Sequence, residues 1–323
     1  MQRQIKFRNY LSIAVLAASI IFFLIYFLNH KEQFEPLMHI EPLYIILLIG
    51  ATAGSLLLNG IFIKIILQPF NKKIGVKESF YVSVISSIGN YFAPVGTGLG
   101  FRAIYLKRRH NLSYGDFLAT ISGNYILVFL TTSLTGLISL SLLHSYAGYR
   151  YWILFGIFGL LFIFTLALMS IKFAKSMTKA IGRIRKATFI VRILSKIIEG
   201  WLLIITNRRI LWQLLGLTGV GLPLSVATSY LILQSLNMHI SFGGVLLLVA
   251  LSYLSVFINI TPGNLGIKEA IYIFSSQAIG LSTPQILSYA LVERGILFFV
   301  LLGVWIFLHI NKGLTENIYN LKR

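Results

Sequence analysis

The sequence predicts an all-α polytopic membrane protein with six spanning helices and two broken re-entrant hairpins, arranged as an inverted repeat. Three observations carry this prediction. The 323 residues are 57% hydrophobic and 11% charged, with a mean hydropathy of +0.82, whereas soluble domains carry about 25% charged residues. Apolar runs of roughly twenty residues recur, the length needed to cross the hydrocarbon core as a helix. Two short stretches rich in Gly and Pro, NYFAPVGTGLG and NITPGNLG, break otherwise apolar sequence.

The spanning segments are Tyr10–Asn29, Leu43–Ile63, Phe117–Leu143, Tyr151–Ile171, Leu211–Gln234 and Ile286–Ile310. The first follows Arg3, Lys6 and Arg8 as a signal peptide would, but it is long and lacks a small-residue cleavage site, so it reads as a retained helix. Nothing between the segments is large or polar enough for a soluble catalytic domain. The chain 1–323 is therefore a single membrane domain. Its first half, 1–171, holds a re-entrant hairpin at 79–106; a basic cytoplasmic segment follows at 172–209; the second half, 210–323, holds a hairpin at 242–280. Cysteine is absent, which excludes disulfides and cysteine metal sites.

The net charge of +19 does not indicate a nucleic-acid partner, because the basic residues punctuate apolar helices and form no soluble face. Lys and Arg gather on cytoplasmic loops instead. By that rule both termini are cytoplasmic and the protein belongs in the cell membrane. The loop HKEQFEPLMHIEP, with Glu32, Glu35 and Glu41, lies outside, and Lys64, Lys72, Lys73 and Lys77 lie inside. Residues 172–209 carry ten basic residues against Glu199 alone and are firmly inside.

This counting predicts the hairpins. Were Ser79–Leu106 one spanning helix, Lys107, Arg108 and Arg109 would face outward and every later loop would invert. A chain that enters, breaks at Pro94–Gly100 and returns keeps all basic loops inside. The second stretch runs in the opposite sense: Phe242–Ile260 enters from outside, breaks at Pro262–Gly266, and Glu269–Ile279 returns. The local sequences echo, LGFRAIY at Leu99–Tyr105 and LGIKEAIY at Leu265–Tyr272, and each return arm ends in a Leu-Ser turn. Inverted repeats of this kind place the substrate at the repeat interface near the midplane.

Non-helical backbone at membrane depth survives only where protein buries it or a wet cavity lines it. Pro94 and Pro262 stop helices. Gly96, Gly98, Gly100, Gly263 and Gly266 permit the reversals and leave amide N–H groups uncovered, and Asn90 opens the first stretch as a further candidate substrate-binding residue. Each return arm then begins a helix whose N-terminus favours an anion, with Arg102 or Lys268 close by. That combination suits a lipid with a negatively charged head: a phospholipid or a polyprenyl-phosphate carrier. The competing reading makes both breaks tight turns whose cations snorkel to the interface.

Glu269, Glu293 and Arg294 are intramembrane ionisable residues and so functional candidates. Glu293 can meet Lys268 or Arg102, leaving Arg294 free for a phosphate through its planar fork. Glu269 can be a first-turn carboxylate, either Glu can take up a proton, and a purely structural ion pair is equally open. The first-half positions equivalent to Glu293–Arg294 are Asn124–Tyr125, so the halves are chemically unequal and the second is expected to carry the charge chemistry. The segment 172–209 reads as an interfacial helix drawn to anionic lipid, either gathering substrate or anchoring the protein. GTGLG lacks the strand and spacing of a nucleotide loop, the six histidines have no metal spacing, and no catalytic triad or carboxylate pair is visible. No enzyme activity, cofactor or metal is expected, and a homo-oligomer is left open.

Taken together, NYFAPVGTGLGFRAIYL, TPGNLGIKEA and the final-helix VERG resemble the lysylphosphatidylglycerol synthase transmembrane region, also called the flippase-like domain family, over nearly the whole chain. In its bifunctional members this domain moves aminoacylated phosphatidylglycerol across the bilayer, and a separate soluble domain makes that lipid. No segment of this sequence reads as the soluble domain, so lipid aminoacylation is not implied. The resemblance implies a lipid flippase or floppase working by alternating access. It places Pro262, Gly263, Gly266, Glu269, Glu293 and Arg294 in the second-half signature, while Asn124–Tyr125 departs from it. The alternative from another class is a non-transporting scaffold that recruits a lipid-modifying or glycosyltransfer enzyme.

Overall fold

The computed structural model describes residues 28, 35, 37, 39–92, 96–143, 148–170, 189–258 and 261–310. Within them the chain forms ten α-helices and no strand: α1 Pro42–Ile66, α2 Val76–Phe92, α3 Thr97–His110, α4 Tyr114–Leu142, α5 Tyr149–Met169, α6 Phe189–Thr206, α7 Arg208–Ser235, α8 Phe242–Ser255, α9 Ile267–Ile279 and α10 Thr283–Ile310. Helices α1, α4, α5, α7 and α10 are long and apolar enough to cross a membrane. They match five of the six predicted spans. Of the sixth, Tyr10–Asn29, only Leu28 falls among the described residues. The chain is an all-α, multi-pass membrane protein.

Local sequence explains where the helices begin. Pro42 occupies the first turn of α1, where its missing N–H costs nothing. The Ser113 hydroxyl accepts from the Asp116 amide at 3.0 Å to start α4. Ser282 starts α10 in a reciprocal box: the Gln285 side chain accepts from the Ser282 amide at 2.9 Å, and the Ser282 hydroxyl accepts from the Gln285 amide at 3.5 Å. Both Leu-Ser turns are thus helix starts as well as the ends of the return arms.

Helices α2 and α3 form an antiparallel pair. At the open end Glu78 accepts from the Tyr105 hydroxyl at 2.7 Å and meets His110 at 2.9 Å; near the fold a Cβ on Gly89 would lie 3.0 Å from the Gly98 Cα. Helices α8 and α9 fold back likewise, with Gly244 beside the Ile279 carbonyl at one end and the Asn264 amide donating to the Ser255 carbonyl at 2.8 Å at the other.

Neighbouring helices set the sense of each hairpin. Helix α2 runs antiparallel to α1, with Ser83 bonded to the Leu56 carbonyl and Gly60 against Ser79 and Phe80. Helix α1 is in turn antiparallel to α7, since Gly54 faces Leu224 and Leu58 faces Gly221. The first hairpin leaves the C-terminal end of α1 and the second leaves the C-terminal end of α7. The two therefore enter the bundle from opposite ends, and their tips meet where Gly263 packs on the Tyr91 backbone.

The basic segment departs from expectation in part. Residues 171–188 lie outside those described, so a free interfacial helix there has no structural description. The remainder, α6, docks on α4. Gly200 and Gly123 cross so closely that a Cβ on Gly200 would overlap the Ala119 carbonyl, and Ile198, Trp201 and Ile204 are buried alongside Ile126 and Leu127. Burying apolar side chains against α4 outweighs leaving this helix on a surface.

Candidate functional site

Both return arms begin at a left-handed glycine. Gly96 caps α3 with φ +83°, and Gly266 caps α9 with φ +81°. The sequence echo instead pairs Gly100 with Gly266. The structural start of α3 lies one turn earlier because Gly96, and not Gly100, takes the positive φ; Gly100 is helical, with open space where a Cβ would sit. Gly98 has a different duty. A Cβ there would overlap the Ser86 carbonyl and the Asn90 side chain, so it lets α2 and α3 touch. Pro94 lies outside the described residues.

The second tip is tighter. Pro262 opens a single 3-10 turn, and Gly263 and Asn264 follow with φ of +57° and +59°. This exposes two carbonyls that no helix satisfies, and Arg294 takes both: Nη1 donates to the Gly263 carbonyl at 2.7 Å and Nη2 to the Asn264 carbonyl at 3.0 Å. Its Nε donates to the Glu269 carboxylate. The other Glu269 oxygen accepts from the Gly266 amide at 2.7 Å, so Glu269 is a first-turn carboxylate and an ion-pair partner at once. The sequence leaves Arg294 either free for phosphate or held in a structural ion pair. In the structure its whole fork is engaged, because the irregular tip offers acceptors that would otherwise be orphaned.

One turn away, Lys268 Nζ lies 2.6 Å from Glu293 Oε1, and the Tyr272 hydroxyl donates to Oε2 at 3.3 Å. Of the two partners foreseen for Glu293, Lys268 is the one it meets. Arg102 stands apart from these pairs. It sits in the second turn of α3, is 5% exposed, and among the described residues reaches two neutral oxygens: Ser86 Oγ from Nε at 3.3 Å and Asn59 Oδ1 from Nη2 at 3.4 Å. Among the described residues no carboxylate pairs with it.

Two cavities flank this region. The larger, about 310 Å³, lies between α1, α4 and α7 and is lined by Asn59, Asn124, Thr131 and Thr218 among apolar residues. The smaller, about 170 Å³, lies between α1, α7, α8 and α10, with Glu293 and several hydroxyls in its wall. The Tyr253 side chain, 2.8 Å from the Ser225 hydroxyl, belongs to both linings. Asn124 and Glu293 hold equivalent places in the two halves, and each lines one cavity. The chemical inequality of the halves thus becomes an inequality of chambers.

Asn59, Ser86, Tyr91, Tyr253 and Asn264 were not foreseen. Asn59 alone had a readable signal, a lone amide within the apolar run of α1; the others depend on which helices touch.

No curated protein matches the chain. The sequence model of the lysylphosphatidylglycerol synthase TM region matches residues 9–304, nearly the full length and including both hairpins, and the chain belongs to that family.

Proposed function

We propose that this protein is a lipid translocase that moves an anionic or zwitterionic phospholipid, or a polyprenyl-phosphate-linked lipid, across the cell membrane by alternating access. It performs no covalent step, and both termini are cytoplasmic. The observation that carries this reading is Arg102. Burying a guanidinium without a carboxylate is costly, and long bonds to two neutral oxygens offset little of that cost. An anionic headgroup entering the chamber that Asn59 lines would supply the missing charge. Family membership supports lipid as the class of cargo.

Lys268 and Arg294 enter this proposal in second place, as groups that must first leave Glu293 and Glu269. Glu293 and Glu269 are their charge partners. The basic segment 172–209 adds attraction for anionic lipid, at about 1 kcal/mol per basic residue near the surface.

The test is flipping of labelled lipids in proteoliposomes. Wild type should flip at least one anionic or zwitterionic lipid, Arg102→Gln should lose the activity while unfolding at a similar temperature, and Arg102→Lys should retain part of it. Failure of wild type to flip any lipid favours the scaffold instead.

A further inference from the structure

The smaller cavity has a chemistry of its own. Its wall carries Thr52 and Ser55 from α1, Ser225, Thr228 and Ser229 from α7, Ser252 and Tyr253 from α8, and Glu293 from α10, and among the described residues no basic side chain lines it. Three of these hydroxyls have a backbone acceptor for their hydrogen. Ser55 donates to the Ala51 carbonyl at 3.1 Å, Ser225 to the Gly221 carbonyl at 3.0 Å and Thr228 to the Leu224 carbonyl at 2.8 Å. A proton used on the backbone a turn earlier leaves lone pairs for the cavity, and the Ser225 oxygen also shares a hydrogen bond with the Tyr253 hydroxyl at 2.8 Å. Ser229 Oγ additionally accepts from Tyr289 at 2.8 Å. A chamber that joins hydroxyl oxygens to one carboxylate disfavours an anion and suits a hard cation, whose ligands are hydroxyl, carboxylate and water oxygens.

We propose that this cavity is a binding site for a small monovalent cation of the Na+ type, held by Glu293 and the hydroxyl oxygens of α1 and α7. The volume accommodates such an ion with a few waters. The charge chosen is single because one carboxylate faces the cavity and that carboxylate already has a cation, Lys268, at 2.6 Å. A bound ion competes with Lys268 for Glu293. Its arrival neutralises the carboxylate from the cavity side and releases the Lys268 ammonium at the first turn of α9, where a headgroup phosphate is the natural new partner. The ion site stands independently of lipid movement; only the release of Lys268 toward a headgroup rests on the translocase reading.

The experiment is thermal unfolding of the purified full chain in detergent, titrated with NaCl, KCl, choline chloride or methylammonium chloride at constant ionic strength. Wild type should show a saturable rise in Tm of roughly 3 °C or more with NaCl and none with choline. Thr228→Val, which keeps the volume and removes the oxygen, should move the half-saturating NaCl concentration upward at least about tenfold. Glu293→Gln should abolish the rise, and Thr228→Val keeps the test decisive if Glu293→Gln fails to fold. Equal curves in all four salts overturn the site. Stabilisation by methylammonium without Na+ also overturns it, assigning the chamber to an ammonium headgroup. If Na+ stabilises but proteoliposomes flip no lipid, the ion site survives and the translocase reading falls.

Discussion

Tyr91 donates its hydroxyl to the main-chain carbonyl of Arg294 at 3.3 Å. The bond joins the tip of the hairpin that enters from one end of the bundle to the helix that clamps the tip entering from the other. The Tyr91 carbonyl also lies 3.3 Å from where a Gly263 Cβ would sit. The two reversals are therefore supports for one another. Tyr91→Phe should lower stability by about 0.5–1.5 kcal/mol, whereas Gly263→Ala should cost at least about 1 kcal/mol from its left-handed φ alone. Thermal unfolding of both variants in the same detergent checks the order.

The Arg294 fork predicts that a conservative replacement will not be tolerated. Arg294→Lys keeps the charge but cannot reach Glu269 and two carbonyls together. It should lose most of the stability lost by Arg294→Ala, about 3–5 kcal/mol for breaking a buried pair. A double-mutant cycle with Glu269→Ala isolates the pair. A wild-type Tm in Arg294→Lys would show that the clamp is not needed.

Glycine positions sort into two kinds that a single substitution separates. Gly200→Ala places a methyl on the Ala119 carbonyl and should destabilise by about 1–3 kcal/mol or more. Gly156→Ala meets nothing within 4 Å and should be neutral or slightly stabilising, since alanine is the better helix former. Similar losses in both variants would contradict the close crossing of α4 and α6.

The opposed entry of the hairpins predicts a labelling pattern. The native chain has no cysteine, so single replacements report cleanly. Lys73→Cys and Arg108→Cys should react with an impermeant maleimide from one face of the membrane, and His239→Cys from the other. Reaction of Arg108→Cys on the His239 side would dissolve the inverted geometry.

Much of this architecture was legible because charge and hydrophobicity act over whole segments. The positions of Lys107, Arg108 and Arg109 demanded a chain reversal, and Gly and Pro marked where it falls. The start of α3 was misplaced by a turn because Gly96, Gly98 and Gly100 look alike in sequence, and only the backbone angle at Gly96 separates them. An ion pair at Arg294 was one of the readings the sequence allowed, but the rest of its occupation was illegible for a similar reason. Its two carbonyl partners exist only once Gly263 and Asn264 adopt left-handed conformations. Arg102 was singled out by its neighbours in sequence, yet its lack of a carboxylate partner among the described residues is a fact about α1 and α2, which meet it through Asn59 and Ser86.

The interlock of Gly123 and Gly200 also bears on biosynthesis. Helix α4 leaves the ribosome well before its covering partner, and at roughly 5–20 residues per second the notch around Gly123 stays unfilled for several seconds. During that interval acyl chains, or a membrane chaperone, must occupy the place that α6 later takes.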